Sequence, residues 1–154
     1  DGLIPILTEI LNFKETARGT WIDDHTPLIV YQTRSGGGAG AEVWLLLQPD
    51  LERGRLGSGG VHHVAFRVAD EVSQQVWQER LRNLRLNVTK VIDRFWFKSI
   101  YFRVSNGILF EIATDGPGFE IDEDPDHLGE KLVLPPFLEG RRKEIESILT
   151  PIKR

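Results

Sequence analysis

The segment VHHVAFRVAD, residues 61–70, passes from an extended run into the start of a helix. It therefore predicts a strand followed directly by a helix. Its β-branched and aromatic residues follow the glycine-rich residues 57–60 and are typical of a strand. Asp70 can cap the helix that follows, which we expect to end at Asn87. Apolar residues recur along that helix at the spacing of one helical face: Val72, Val76, Trp77, Leu81 and Leu84.

Three more strands are predicted after this helix, at residues 88–93, 99–104 and 108–113. The Ser-Asn-Gly sequence at 105–107 would turn the chain between the last two strands. The order of elements is therefore β-α-β-β-β, and we assign this unit to residues 61–116.

Residues 1–52 are expected to form an incomplete copy of the same unit that lacks its opening strand. Its strands are predicted at 13–18, 28–33 and 41–47, after a helix whose apolar stripe is Leu3, Ile6, Leu7, Ile10 and Leu11. Residues 117–154 form a tail with a last helix expected near 139–149. The predicted fold class is α+β.

The composition restricts the possible functions. Among 154 residues, 19 are Lys or Arg and 23 are Asp or Glu, so the net charge is −4 and no basic face for nucleic acid is expected. No apolar run approaches the roughly 18–20 residues that span a bilayer. The chain has no Cys, which excludes disulfides, zinc–thiolate sites and thiol nucleophiles. We expect a cytoplasmic protein that binds neither nucleic acid nor a membrane.

Alternation along the strands sorts the polar side chains onto one face of the sheet. Apolar residues such as Phe102 and Phe110 face the helix, whereas His63, Tyr101 and Glu111 lie on the opposite face. The short turn pairs Tyr101 directly with Glu111, which places their Cβ atoms roughly 5 Å apart. One His, one Tyr and one Glu therefore converge on the face that the helix leaves open.

Glu111 lies within the apolar run 108–113, so its carboxylate must either be paired or coordinate a metal. Arg94 and Arg103 are available as ion-pair partners. A single His on a strand is most often structural, and a single Tyr most often contributes packing. The convergence of the three residues favours a metal site, and pairing with an arginine stays open as the alternative.

These residues resemble the vicinal oxygen chelate superfamily, which includes glyoxalase I, bleomycin-resistance proteins and extradiol dioxygenases. Four segments are similar to its hydroquinone-type ring-cleaving dioxygenases: GGVHHVAFRVAD at 59–70, VIDRFWFKSIYFR at 91–103, GILFEIATDGPGF at 107–119 and GEKLVLPPFLEGRR at 129–142. The resemblance implies two β-α-β-β-β modules, the first without its opening strand, in a curved and partly open mixed β-sheet.

The resemblance also implies roles for the polar residues. His63 and Glu111 correspond to metal ligands, and His62 to an outer-sphere residue that moves a proton. Arg94 and Tyr101 match positions near the substrate. Two His and one carboxylate are the ligand set of non-heme Fe(II) oxygenases, so Fe(II) is the expected metal and Mn(II) the alternative.

Only two of the three ligands are visible in this sequence. Leu45 or Leu46 occupies the equivalent of Glu111 in the first copy, His25 lies in an expected turn, and His127 lies in the acidic tail. The resemblance implies that the remaining His comes from an N-terminal pair of modules. We therefore expect this chain to be the C-terminal half of a longer enzyme.

The predicted function is cleavage of an aromatic diol, hydroquinone or catechol, with incorporation of O₂. A glyoxalase-like isomerase or lyase with Ni(II) or Zn(II) is one alternative, and a metal-free small-molecule binding module of the bleomycin-resistance type is another. The strand missing before Leu3 would leave a sheet position open, which favours a homodimer or higher oligomer. With two ligands, the chain alone is expected to hold metal weakly or not at all and to have little or no dioxygenase activity.

Overall fold

The computed structural model describes residues 2–33, 37–52, 54–105 and 107–150. Asn106, the central residue of the predicted turn, lies outside the described residues, as do residues 151–154 of the tail.

The N-terminal part forms a short helix and an antiparallel sheet. Helix α1 (Leu3–Pro5) continues directly as a π-helical stretch at Ile6–Ile10. Strands β1 (Lys14–Thr20), β2 (Pro27–Gln32) and β3 (Glu42–Leu46) then pair in the order β1-β2-β3. Each predicted strand of this part is present, with its ends displaced by one or two residues.

The second sheet contains the predicted β-α-β-β-β order. Its elements are β4 (Val64–Val68), α2 (Glu71–Asn83), β5 (Ile92–Asp93), β6 (Phe97–Arg103) and β7 (Leu109–Pro117). The strand order is β4-β7-β6-β5, with β4 parallel to β7 and the other neighbours antiparallel. The seven strands thus lie in two sheets, and the α+β class is as predicted.

The tail continues from β7 with short helical elements. Single 3₁₀ turns lie at Phe119–Ile121 and Pro125–His127, and helices α3 (Pro136–Glu139) and α4 (Arg142–Ile148) follow. In the described part of the chain, no helix is both long and apolar enough to cross a membrane.

One hydrophobic core joins the two sheets and the helices between them. The ring centroids of Phe13, just before β1, and Phe66 in β4 are 5.9 Å apart, edge to face. Leu7, Leu81 and Ile100 are completely buried in the same cluster. The core side of the second sheet therefore faces away from the polar residues singled out above.

The predicted apolar stripe of α2 is wrong at three positions, because these side chains are half or more exposed: Val72, Val76 and Leu84. The buried face carries Gln74 and Gln78 beside Leu81. The Gln74 Nε2 donates to the carbonyl oxygens of Lys98 (2.7 Å) and Ile112 (2.9 Å). Backbone carbonyl groups of the sheet beneath α2 accept from this side-chain amide, so an amide donor is buried there in place of methyl groups.

Helix α2 ends at Asn83, before the predicted limit at Asn87. Arg85 adopts φ +60°, and the Leu86 N–H donates to the Leu81 carbonyl at 3.1 Å, which closes the helix in a Schellman-type turn. The strand predicted at 88–93 is also shorter in the structure, where it is reduced to β5 and an isolated bridge at Val88.

Candidate metal centre

Three strands bring the predicted site residues together on the open face of the second sheet. Tyr101 in β6 is the direct cross-strand partner of Glu111 in β7, which confirms the predicted pairing. On the other side of β7, Ala65 in β4 is the partner of Glu111. His63 precedes Ala65 by two residues, so alternation places its side chain on the same face.

The Glu111 carboxylate is 2% exposed and is held by three side chains. The Tyr101 hydroxyl donates to Glu111 Oε1 at 2.9 Å, and the Ser99 hydroxyl donates to the same oxygen. The other oxygen, Oε2, lies 2.6 Å from His63 Nε2. The described donors to this buried carboxylate are therefore two neutral hydroxyl groups and one histidine.

His62 and His63 form a second polar contact, with their Nδ1 atoms 2.9 Å apart. One of these nitrogens must donate and the other accept. When His63 Nε2 carries the proton toward Glu111, its Nδ1 accepts from His62. If Nε2 held a metal, the proton of a neutral His63 would lie on Nδ1, and His63 would donate to His62. His62 is therefore the hydrogen-bond partner of His63 Nδ1 in either tautomer.

A tight turn places Arg94 beside Tyr101. The Arg94 N–H donates to the Phe97 carbonyl at 2.9 Å, and Asp93 Oδ1 accepts from the Phe95 N–H at 2.7 Å. The latter bond supports the left-handed backbone of Phe95, at φ +76°. The Arg94 guanidinium lies 5.4 Å from the Tyr101 ring centroid, and its Nη2 donates to the Tyr101 hydroxyl at 3.3 Å.

Neither of the two arginines considered as ion-pair partners, Arg94 and Arg103, neutralises Glu111 in the described structure. Arg103 donates to the Gly107 carbonyl at 2.9 Å, and Arg94 contacts Tyr101 instead of the carboxylate. Sequence reasoning gave no role to Ser99, although alternation in β6 already placed it on the same face as Tyr101. This alternation was the available signal. It could not reveal that the Ser99 hydroxyl contacts Glu111.

A cavity of about 590 Å³ opens beside the two histidines. Its walls come from the loop at 54–61 and from the β6–β7 hairpin, including Arg103 and Leu109. A space of this size, partly apolar and next to His62 and His63, is sufficient for a single aromatic ring.

The other two histidines lie elsewhere. The His25 N–H donates to Asp23 Oδ1 within the β1–β2 turn, and His127 Nδ1 is 3.0 Å from Glu130 Oε1 in the tail. Across the described ranges, no group of three or more His, Asp or Glu side chains is arranged to hold a metal ion. An imidazole nitrogen and a carboxylate oxygen are ligand types that suit iron and manganese, so His63 and Glu111 fit as two ligands of a three-residue site.

Comparison with known proteins identifies relatives along nearly the whole chain. It is 46% identical over 149 residues to MhqA of Bacillus subtilis (strain 168), which is provisionally named a ring-cleaving dioxygenase; the match covers 96% of this chain and 46% of MhqA. It is 38% identical over 114 residues to the chlorohydroquinone/hydroquinone 1,2-dioxygenase of Sphingobium indicum, covering 71% of this chain and 35% of that enzyme. The chain spans less than half the length of these curated relatives.

Solved structures agree with this assignment. A structure from Bacillus subtilis, provisionally described as a dioxygenase, superposes with a TM-score of 0.83 at 39% identity, covering 99% of this chain and 46% of that one. A glyoxylase/bleomycin resistance protein/dioxygenase domain from Frankia sp. EAN1pec shares the fold, with a TM-score of 0.57 at 22% identity, covering 72% of this chain and 84% of that domain. No family model matches the chain.

The fold, the polar face of the second sheet and these relatives define the class: the chain belongs to the vicinal oxygen chelate superfamily. Within it, the chain is similar to the hydroquinone-type ring-cleaving dioxygenases.

Proposed function

We propose that this chain is the metal-binding, C-terminal half of a non-heme Fe(II)-dependent dioxygenase that cleaves the ring of an aromatic diol. The observation that carries the proposal is the buried Glu111 carboxylate, which meets His63 on the open face of the sheet. Similarity to a hydroquinone dioxygenase over 71% of the chain supports the substrate class, hydroquinone or catechol.

His63 Nε2 and Glu111 Oε2 would hold the metal, and a His from an N-terminal pair of modules would complete the set. Fe(II) is the proposed ion, with Mn(II) as the alternative. When bound, the metal would supply proximity between the diol and O₂ and a path for charge transfer.

The other residues act on the substrate. His62 would take a proton from the diol hydroxyl or return it, since its imidazole borders both His63 and the cavity. Arg94 would stabilise negative charge that develops on the substrate oxygen. Tyr101 would hydrogen-bond either the substrate or Glu111, and its hydroxyl donates to Glu111 in this structure.

The organisation of the chain is part of the proposal. We infer an incomplete module at 1–52, the metal-binding module at 61–116 and a tail at 117–154. Two copies of the chain are proposed to associate. The cytoplasmic location and the lack of nucleic-acid or membrane partners remain predictions from composition.

Oxygen consumption tests the proposal. The longer protein that carries this chain is loaded anaerobically with Fe(II), and O₂ uptake is followed with hydroquinone and with catechol. We expect uptake with one of the two diols and none from Glu111→Gln. Absence of uptake with both diols, despite bound iron, would contradict a dioxygenase and leave the glyoxalase-like alternative. Failure to bind any metal would favour the metal-free binding module.

A further inference from the structure

Ser99 has no assigned role, yet its side chain is completely buried and its hydroxyl donates to Glu111 Oε1. We propose that Ser99 is a positioning residue for the metal centre: together with Tyr101 it saturates Oε1, so that Glu111 offers a metal only Oε2. This inference rests on the proposed function, because it assigns a task to a metal ligand.

The hydrogen-bond capacity of the carboxylate supports this assignment. Each carboxylate oxygen has about two lone-pair sites in its plane. On Oε1 these sites are taken by the hydroxyls of Ser99 and Tyr101, both of which must donate because a carboxylate only accepts. Oε2 carries neither hydroxyl and faces His63. The two oxygens of Glu111 are therefore chemically different before any metal binds.

The backbone of Ser99 is held in place by polar side chains beside it. The pairing of β6 with β7 is regular from Arg103 to Ser99 and is then interrupted before Phe97. At the interruption, the Lys98 N–H donates to Thr114 Oγ1 at 3.0 Å, and the Lys98 carbonyl accepts from Gln74 Nε2 at 2.7 Å. Both of these partner side chains are buried. These two hydrogen bonds fix the backbone at the irregular end of the strand, so the Ser99 hydroxyl remains directed toward Glu111.

One-oxygen ligation has a consequence for the reaction. A carboxylate that binds through both oxygens occupies two coordination positions, whereas one that binds through Oε2 alone occupies one. The proposed chemistry needs open positions for a substrate oxygen and for O₂. By donating to Oε1, Ser99 and Tyr101 would leave only Oε2 for a metal and would keep one such position available.

The test uses Co(II) as a spectroscopic probe with the longer protein that carries this chain, because that protein is proposed to supply the third ligand. Absorbance titrations compare wild type with Ser99→Ala, which removes one oxygen atom and little packing volume, and with Ser99→Thr, which keeps a hydroxyl and adds one methyl group. Loss of an outer-shell partner typically weakens metal affinity about 10- to 100-fold. We expect Ser99→Ala to raise the Kd for Co(II) by about tenfold or more and to change the visible spectrum, and Ser99→Thr to reverse both.

The control is Thr8→Ala, which removes a part-buried hydroxyl that bonds the Ile4 carbonyl in the N-terminal helix. It should leave the Kd and the spectrum unchanged. Urea unfolding without metal verifies that each variant is folded. If Ser99→Thr does not fold, the comparison of wild type with Ser99→Ala decides the question.

If wild type and Ser99→Ala bind Co(II) equally with the same spectrum, the positioning role is overturned while the metal site stands. If wild type binds no Co(II) even at millimolar concentration, the proposed metal site fails, and this role fails with it.

Discussion

A carboxylate moved from water into a protein interior loses several kcal/mol of hydration, which only well-placed donors can offset. Glu111 has three such donors, from Ser99, Tyr101 and His63. Among the described residues, no arginine contacts this carboxylate. Its Oε2 atom can therefore still accept a hydrogen bond or bind a cation on the open face of the sheet. We propose that this carboxylate, which no described arginine neutralises, is a metal ligand.

Removal of either proposed ligand should sharply reduce metal binding by the longer protein that carries this chain. We expect Glu111→Gln and His63→Ala to weaken Mn(II) binding by more than the roughly 10- to 100-fold that loss of an outer-shell partner costs. His62→Ala should weaken it less, because His62 contacts His63 and not the metal position. Free Mn(II), measured by electron paramagnetic resonance during titration, reports the affinities. An equal loss from His62→Ala would show that the two histidines were assigned in the wrong order.

At the scale of elements, the position of the site depends on helix α2 and the two strands beneath it. Asp70 begins the helix, and its Oδ1 accepts from the Ser73 N–H at 2.7 Å. Gln74, one turn later, reaches the carbonyls of Lys98 and Ile112, which neighbour Ser99 and Glu111 in the chain. The helix therefore holds β6 and β7 together from the side opposite the polar face.

Gln74→Leu should destabilise the fold, because two buried carbonyl groups lose their shared donor. An unsatisfied buried polar group costs about 1–3 kcal/mol, so we expect a decrease in the free energy of unfolding of at least that size. Urea unfolding followed by circular dichroism measures it. Gln75→Leu makes the same chemical change at an exposed position and should have little effect. Equal effects from the two variants would contradict the bridging role.

The cap of α2 should make stability depend on pH. The hydrogen bond from the Ser73 N–H lowers the pKa of Asp70 below its ordinary value of 3.8. Because the folded-state pKa is the lower one, the contribution of Asp70 is present above pH 3.8 and is lost as the pH falls through the folded value.

Asp70→Ala should therefore be less stable than wild type at neutral pH, and the difference should shrink below pH 3.8. Urea unfolding at both pH values provides the comparison. Asp70→Asn keeps a capping oxygen at every pH and should lose less stability than Asp70→Ala. A difference between wild type and Asp70→Ala that is independent of pH would contradict a role for the ionised cap.

In the molecule as a whole, one hydrophobic core joins the two sheets. Each outer strand of these sheets has one strand neighbour in the described structure. In the second sheet the order β4-β7-β6-β5 leaves one edge of β4 without a strand partner in the described structure. Val64 and Ala65 are exposed there, beside the proposed ligand His63. An edge strand with open backbone groups can pair with another chain.

We therefore expect the chain to form a dimer at micromolar concentration. Sedimentation velocity over a concentration series measures the state. Val64→Lys places a charge on the β4 edge, a device that blocks strand pairing, and should shift the equilibrium toward the monomer. A monomer at every concentration would contradict the assembly, and a Val64→Lys protein that still dimerises would show that the contact lies elsewhere.

Local rules within the sequence were enough to predict much of this protein. Alternation along β6 and β7, with the short turn between them, predicted the pairing of Tyr101 with Glu111, and the structure confirms it. The Asp70 cap follows equally from residues next to one another in the chain. Such features depend on the period of a strand or on one helical turn, and both are properties of neighbouring residues.

Tertiary structure decided which polar groups became partners. Hydrophobic spacing predicted that α2 would bury Val72 and Val76, but Gln74 is buried instead. Its burial depends on carbonyls of β6 and β7 that lie 24 and 38 residues away in the chain. Ser99 likewise acquires its role only when β6 lies against β7. The demand for hydrogen bonds inside the molecule is set by distant strands, and no local pattern contains that information.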